Sequence, residues 1–213
     1  MRLIIIRHGE TIYNATERLT GQRDIPLTPL GEQQALTVGA YLANDQPDAI
    51  VSSDLQRARL TAAAIARYHE LPVEVDPRLR ELSLGRWEGS TFHDVQREEP
   101  EQYQLWREDP STNAPMGGET LLQFRDRVVA SLDEWYARYP EGTVIWVAHA
   151  GLIGVLICHI LAIDLNRRGQ FHHDNASLTE LRILPPRYSL VRLNETAFLK
   201  ENINIQLQYK ELL

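Results

Sequence analysis

Two histidines in this chain each follow directly on a short apolar run. Leu3-Ile4-Ile5-Ile6 leads into Arg7-His8-Gly9-Glu10-Thr11, and Thr143-Val144-Ile145-Trp146-Val147-Ala148 leads into His149-Ala150-Gly151. A neutral imidazole is a nitrogen nucleophile near pH 7, a guanidinium is a planar fork matched to phosphate oxygens, and glycine lets backbone approach a ligand closely. Arg57, within Ser53-Asp54-Leu55-Gln56-Arg57-Ala58, supplies a second guanidinium, and Glu81 a carboxyl group able to move a proton. Taken singly, these are a surface turn, a solvated arginine and a surface ion-pair acid. Taken together, two guanidiniums and two imidazoles form a site for a tetrahedral dianion. Phosphoryl chemistries then narrow by absence. The chain has no G-x-x-x-x-G-K-[ST] loop, no arginine in the short loop after its one cysteine, and no strand ending in clustered aspartates. Histidine remains as the nucleophile.

The elements that must position these groups are legible in outline. Leu3–Ile6, with three β-branched residues, reads as a strand buried on both faces, and Thr143–Ala148 as a second. Ligands of open α/β sheets bind outside the carboxyl ends of strands, where both histidines fall. Asp48–Ser52 and Val73–Val75 are further strand candidates. Thr28 as N-cap with Pro29 behind it opens a helix carrying Ala35, Val38, Gly39 and Leu42 on one stripe. Ser53 and Gln56 have capping-box spacing, opening a helix that buries Leu55, Ala58, Ala62, Ile65 and Ala66 and carries Arg57 off that stripe in its first turn. A long helix is expected from about Leu121 to Tyr139, and a buried one from Leu152 to Ile163, with His159 as a core or interface residue. Ser177–Leu184 and Tyr188–Asn194, joined through Pro185-Pro186, read as a closing hairpin, followed by an amphiphilic tail from about Glu195. The region of about 85–142 reads as a helical insertion shaping substrate access, its aromatics serving packing more than stacking. His172 and His173, adjacent in a polar turn, are a weak metal signal.

Composition bounds the partners. The 213 residues suit a single domain with a continuous core; 43% are hydrophobic and 24% charged, as in ordinary soluble globules. A net charge of −7 without a basic tract argues against nucleic acid or an anionic membrane as partner. Lys200 and Lys210 are the only lysines, so nearly all positive charge is guanidinium. One cysteine, Cys158 in an apolar run, excludes an internal disulfide framework and reads as a core residue. The N-terminus has no signal-peptide pattern, which makes the cytoplasm the default expectation. Association into a homodimer stays open.

The segments Leu3–Thr11, Ser52–Ala63, Glu81–Gly89 and Val147–Gly151, with Gly117-Gly118-Glu119 and Asp174-Asn175-Ala176-Ser177, resemble the motifs of the histidine phosphatase superfamily, in its cofactor-dependent phosphoglycerate mutase-like branch. The combination of R-H-G-E-T with a later strand-H-x-G is specific, and the likeness spans nearly the whole chain, 1–213 as one domain. It departs at Ala148, where the family usually has serine. The resemblance implies an α/β fold, a three-layer αβα sandwich with a mostly parallel central sheet and helices on both faces. It implies that His8 attacks phosphorus through Nε2 with Nδ1–H held by a backbone carbonyl, while Arg7, Arg57 and His149 hold the equatorial oxygens. Asn14 and the loop Thr20-Gly21-Gln22 would complete the cradle, and Glu81 would protonate the departing alkoxide and then take a proton from water. No metal and no other cofactor is expected.

The glycolytic mutases of that branch carry a longer insertion before the second histidine, and the corresponding region here is short and free of lysine. Hydrolysis of a small phosphorylated metabolite is therefore favoured over a bisphosphoglycerate-dependent mutase. A non-catalytic phospho-ligand binder is the reading from another class; the set His8, Glu81 and His149 counts against it, since a binder has no use for an acid at the leaving group.

Overall fold

A computed structural model describes residues 1–200; the amphiphilic tail lies outside them from residue 201 on. Six strands form one sheet: β1 (Arg2–Arg7), β2 (Ala49–Ser52), β3 (Val73–Val75), β4 (Thr143–Ala148), β5 (Leu178–Leu184) and β6 (Arg187–Glu195), in the order β3-β2-β4-β1-β5-β6. The first four are parallel; β5 runs antiparallel to β1 and β6 to β5, which is the closing hairpin. Side chains alternate along a strand, so a strand with no polar position must bury both faces. In β1, Leu3 and Ile5 join Val51, Val144, Trp146, Leu181 and Ile183 on one face, while Ile4 and Ile6 join Ile50, Ile145, Val147 and Leu178 on the other. Each fully buried aliphatic side chain contributes about 1.5–3 kcal/mol, so the two central strands anchor the molecule from both sides.

The helices supply the two outer layers. After the single turn α1 (Ile12–Ala15), α2 (Pro29–Tyr41) and α3 (Gln56–Ala66) cover the second face through Val38, Ala58, Ala62 and Ile65. Two short helices, α4 (Phe92–Glu98) and α5 (Pro100–Glu108), precede α6 (Leu121–Arg138) and α7 (Ala150–Ile160), and the last two cover the first face. α2 starts as expected, with the Thr28 hydroxyl accepting from the Gly31 N–H at 3.0 Å. α6 starts on a capping box of Thr120 and Gln123. The box expected of Ser53 and Gln56 does not form. Leu55 is the N-cap of α3, and the exposed Gln56 N–H finds its acceptor in Asp24 Oδ1 at 2.6 Å, a partner 32 residues away.

Other expectations shift at this level. α7 stops at Ile160 rather than Ile163, and Ala162 beyond it takes a positive φ of 53°. His159 is exposed on the outer side of that helix and is not a core residue, whereas Cys158 beside it is fully buried. Leu121, Phe124, Val128, Leu132 and Trp135 of α6 belong to the core on the first face of the sheet, and so do Trp87, Val95, Tyr103 and Trp106 from the part of the 85–142 region before α6. There Trp87, Tyr103 and Trp106 pack together, Trp87 and Trp106 edge to face at 5.5 Å. Among the described residues no helix is long and apolar enough to cross a membrane.

Candidate active site

Strand register decides where the two histidines meet. β1 and β4 are neighbours with Arg7 opposite Ala148, so the residues that follow, His8 and His149, leave the sheet side by side. The His8 N–H donates to the Ala148 carbonyl at 3.0 Å, and the two rings stand 5.1 Å apart, tilted by 59°. The end of β2 is tied to β4 as well, Ser53 N–H donating to the Val147 carbonyl at 3.0 Å. Three strand ends thus deliver His8, His149 and the start of α3 to one place.

Around the His8 ring the tautomer is set by the backbone. Nδ1 lies 2.7 Å from the Gly9 carbonyl oxygen, which can only accept, so Nδ1 carries the hydrogen and Nε2 keeps its lone pair. Arg57 Nε donates to that Nε2 at 3.2 Å. Arg57 is wholly buried beside His8. Its remaining donors reach the Arg23 carbonyl at 2.7 Å and the Gly21 carbonyl at 2.8 Å, so the turn-rich loop after α1 exists in part to seat this guanidinium. Burial lowers its pKa to about 10, which leaves it charged at neutral pH. Arg7 donates to the His173 carbonyl at 2.5 Å, while its Nε is buried with no acceptor. Both ring nitrogens of His149 are likewise buried and unpartnered.

Glu81 sits across the same cavity, in the segment between β3 and α4. Its carboxylate accepts from the Leu82 N–H at 2.8 Å and the Gly151 N–H at 3.0 Å, in the first turn of α7. A Cβ at position 151 would lie 2.2 Å from Glu81 Oε1, which is the physical reason for glycine two residues after His149. The Glu81 carbonyl is gripped from behind by Arg127 Nη2 at 2.8 Å and Gln22 Nε2 at 3.1 Å, and Arg127 is itself paired with Glu119.

The cavity these groups line measures about 370 Å³, with Arg7, His8, Asn14, Thr20, Gly21, Arg57 and Glu81 on its wall. Gln22 and His149 are the exceptions among the expected residues: the Gln22 side chain turns away toward the Glu81 carbonyl and Glu119, and the His149 ring is fully buried beside His8 rather than on the wall. Two aromatics of the access region, Phe92 and Trp106, pack on each other at 5.6 Å and also face the cavity. Residue reading missed Thr61, whose hydroxyl accepts from Gly9 N–H at 3.1 Å; it lies one helical turn after Arg57, a spacing that could have flagged it. It also missed Arg127 and Arg168, which carry no local signal. Asn175, within a quoted motif but given no role, donates to the His8 carbonyl at 3.1 Å and to Asn14 Oδ1 at 3.2 Å. Among the described residues no three His, Cys, Asp or Glu side chains are grouped as metal ligands would be, and His172 is paired with Asp174 instead.

Burial drives the imidazoles of His8 and His149 well below the usual histidine pKa, and the charges of Arg57 and Arg7 push the same way at both. His173 falls to about 4 for the same leading reason. The sign follows from linkage. Below about pH 6.5 the unfolded chain takes up protons that the folded one refuses, so acid removes stability, while above that value these groups contribute no pH dependence. Each such imidazole steepens the fall by up to about 1.4 kcal/mol per pH unit. The melting temperature is therefore expected to drop steadily between about pH 6.5 and 5. Scanning calorimetry on wild type and on His149→Asn checks this: the variant should lose part of the slope, and equal slopes would contradict the burial account.

Comparison with known proteins agrees with this geometry. The family model for the histidine phosphatase superfamily (branch 1) matches residues 3–196. The glucosyl-3-phosphoglycerate phosphatase of Mycobacterium tuberculosis is 41% identical over 189 residues, 84% of this chain and 84% of that protein. Phosphoserine phosphatase 1 of Hydrogenobacter thermophilus is 33% identical over 201 residues, 94% of this chain and 95% of that one. A mycobacterial glucosyl-3-phosphoglycerate phosphatase solved with VO3 superposes with a TM-score of 0.83 at 36% identity, covering 92% of this chain and 99% of its own. The chain belongs to the histidine phosphatase superfamily. Within it, this is a phosphoric monoester hydrolase of the phosphoglycerate mutase-like kind.

Proposed function

We propose that this enzyme hydrolyses the phosphomonoester of a small metabolite through a phosphohistidine on His8, with water as the acceptor and without a metal ion. Nε2 of His8 attacks phosphorus as the ester P–O bond breaks, and the departing alkoxide takes its proton from Glu81. Glu81 then removes a proton from water as that water attacks phosphorus. The P–N bond breaks, inorganic phosphate leaves, and His8 and Glu81 return to their starting states. Splitting one displacement into two lets the same donors stabilise both transition states.

The observation that carries this reading is the pair of buried donors beside His8 that have no acceptor. A buried polar group without a partner costs about 1–3 kcal/mol. Arg7 Nε and the His149 ring are two such groups within one small site, and phosphoryl oxygens would accept from both. Arg57 would exchange its bond to His8 Nε2 for one to a third oxygen, freeing the nucleophile as substrate arrives. Asn14, Thr20 and Gly21 would line the seat, and the stretch before α6, with Phe92 and Trp106, would form the access region of a single domain.

The test is hydrolysis of p-nitrophenyl phosphate by protein dialysed against EDTA, with no bisphosphoglycerate added. Full activity under those conditions is expected. Activity restored only by a divalent cation would overturn the metal-free chemistry. Exchange of 3- for 2-phosphoglycerate that needs a bisphosphate primer would favour the mutase.

A further inference from the structure

The cavity holds one guanidinium that the hydrolytic scheme does not use. Arg168 comes from the short 3₁₀ segment Leu165–Gln170, which packs on α7 at Gly154. A Cβ at Gly154 would lie 3.0 Å from the Arg168 carbonyl oxygen, so a glycine in the middle of a buried helix lets this segment seat closely and turn its arginine toward the cavity wall. The neighbouring arginines are committed: Arg7, Arg57 and the rim residue Arg18 each donate to a backbone carbonyl. Among the described residues the Arg168 guanidinium makes no hydrogen bond and no ion pair, although much of it is withdrawn from solvent; the Trp106 ring lies beside it, 5.9 Å away. Its place is on the leaving-group side. Gly151, whose N–H holds the Glu81 carboxylate, and Gly154, on which the Arg168 backbone seats, lie one turn apart on α7, so Arg168 enters the cavity from the Glu81 side.

We propose that Arg168 receives a carboxylate carried by the leaving group, so that the substrates are phosphomonoesters of small hydroxy acids. The inference rests on the hydrolase reading and narrows its substrate class. A guanidinium fork binds a carboxylate through two parallel hydrogen bonds, and Leu82, Leu84, Phe92 and Trp106 offer an apolar wall for the carbons between the two anionic ends. A second phosphate fits less well, because one cation with Glu81 nearby balances a single negative charge, not two.

Phosphoserine and phosphoethanolamine differ only in the carboxylate and make the test. Wild type is expected to favour phosphoserine in kcat/KM by roughly 10- to 100-fold, the worth of a hydrogen-bonded charged pair. Arg168→Met should collapse that ratio to about one, losing far more on phosphoserine than on p-nitrophenyl phosphate, and Arg168→Lys should retain part of it. A wild-type ratio near one would overturn the proposal. So would a ratio that survives in Arg168→Met, or an equal loss on all three substrates, which would mean that Arg168 acts through Glu81 or the fold. Calorimetric affinities of His8→Ala protein for phosphoserine and phosphoethanolamine, with and without Arg168→Met, read the same ratio without turnover, so failure of the hydrolase chemistry and failure of the Arg168 assignment separate.

Discussion

His8→Ala protein should hydrolyse no phosphomonoester measurably, a loss of roughly 10⁴-fold or more in kcat, because the step that forms the P–N bond has no substitute nucleophile. His149 cannot easily replace it. It begins α7 as the N-cap residue, and its wholly buried ring stands 5.1 Å from that of His8, in the proposed scheme a donor to a phosphoryl oxygen, whereas His8 is on the cavity wall. The substitution removes the acceptor of the Arg57 Nε bond but leaves the carbonyl partners Gly21 and Arg23, so the guanidinium stays seated and the oxyanion site persists. Rapid acid-free quenching with labelled substrate should therefore trap label on wild type and none on the variant, while inorganic phosphate still binds both. Label retained on His8→Ala protein would move the nucleophile to another residue. A wild type that binds phosphate yet turns over no ester would leave the binding-protein reading standing.

Glu81→Gln should separate substrates by their leaving groups. Alkyl phosphates, whose alkoxides need a proton as they depart, are expected to lose about 10²- to 10⁴-fold in kcat/KM, and p-nitrophenyl phosphate about tenfold or less. The structure adds a condition to this experiment. The carboxylate accepts from two backbone N–H groups, Leu82 and Gly151, and an amide can accept with only one of its ends. Some loss of melting temperature should accompany the substitution, and it would affect both substrate classes alike. Only the difference between them reports on proton transfer. Equal losses on both would remove Glu81 from the role of general acid.

Much of the site was legible because it is local to strand ends. An apolar run of β-branched residues ending in Arg-His-Gly states both where the strand stops and what it presents, and the second run ending at His149 repeats this. The same locality failed at α3. Ser53 and Gln56 have the spacing of a capping box, but the buried Ser53 hydroxyl faces the Leu55 N–H at 3.4 Å, so α3 starts one residue later than the box requires and the Gln56 N–H is left to Asp24. Arg57 was expected among the site groups and lies there, but its burial rests on contacts that its own helix does not reveal. A stripe of apolar residues predicts which helix face meets the sheet, not whether a charged neighbour is drawn in by carbonyls from another loop.

The order of residues alone determined the α/β class, the two histidine-bearing strands and the chemistry of an oxyanion site, since backbone propensity, burial on two faces and side-chain type are all properties of short segments. Only the folded chain decided that β4 lies beside β1 in a register that brings the imidazoles to 5.1 Å. It also decided that Arg127 grips Glu81 from behind and that Arg168 enters the cavity over Gly154. Those contacts join residues that are not neighbours in the chain, and nothing in the neighbourhood of either partner encodes the distance between them.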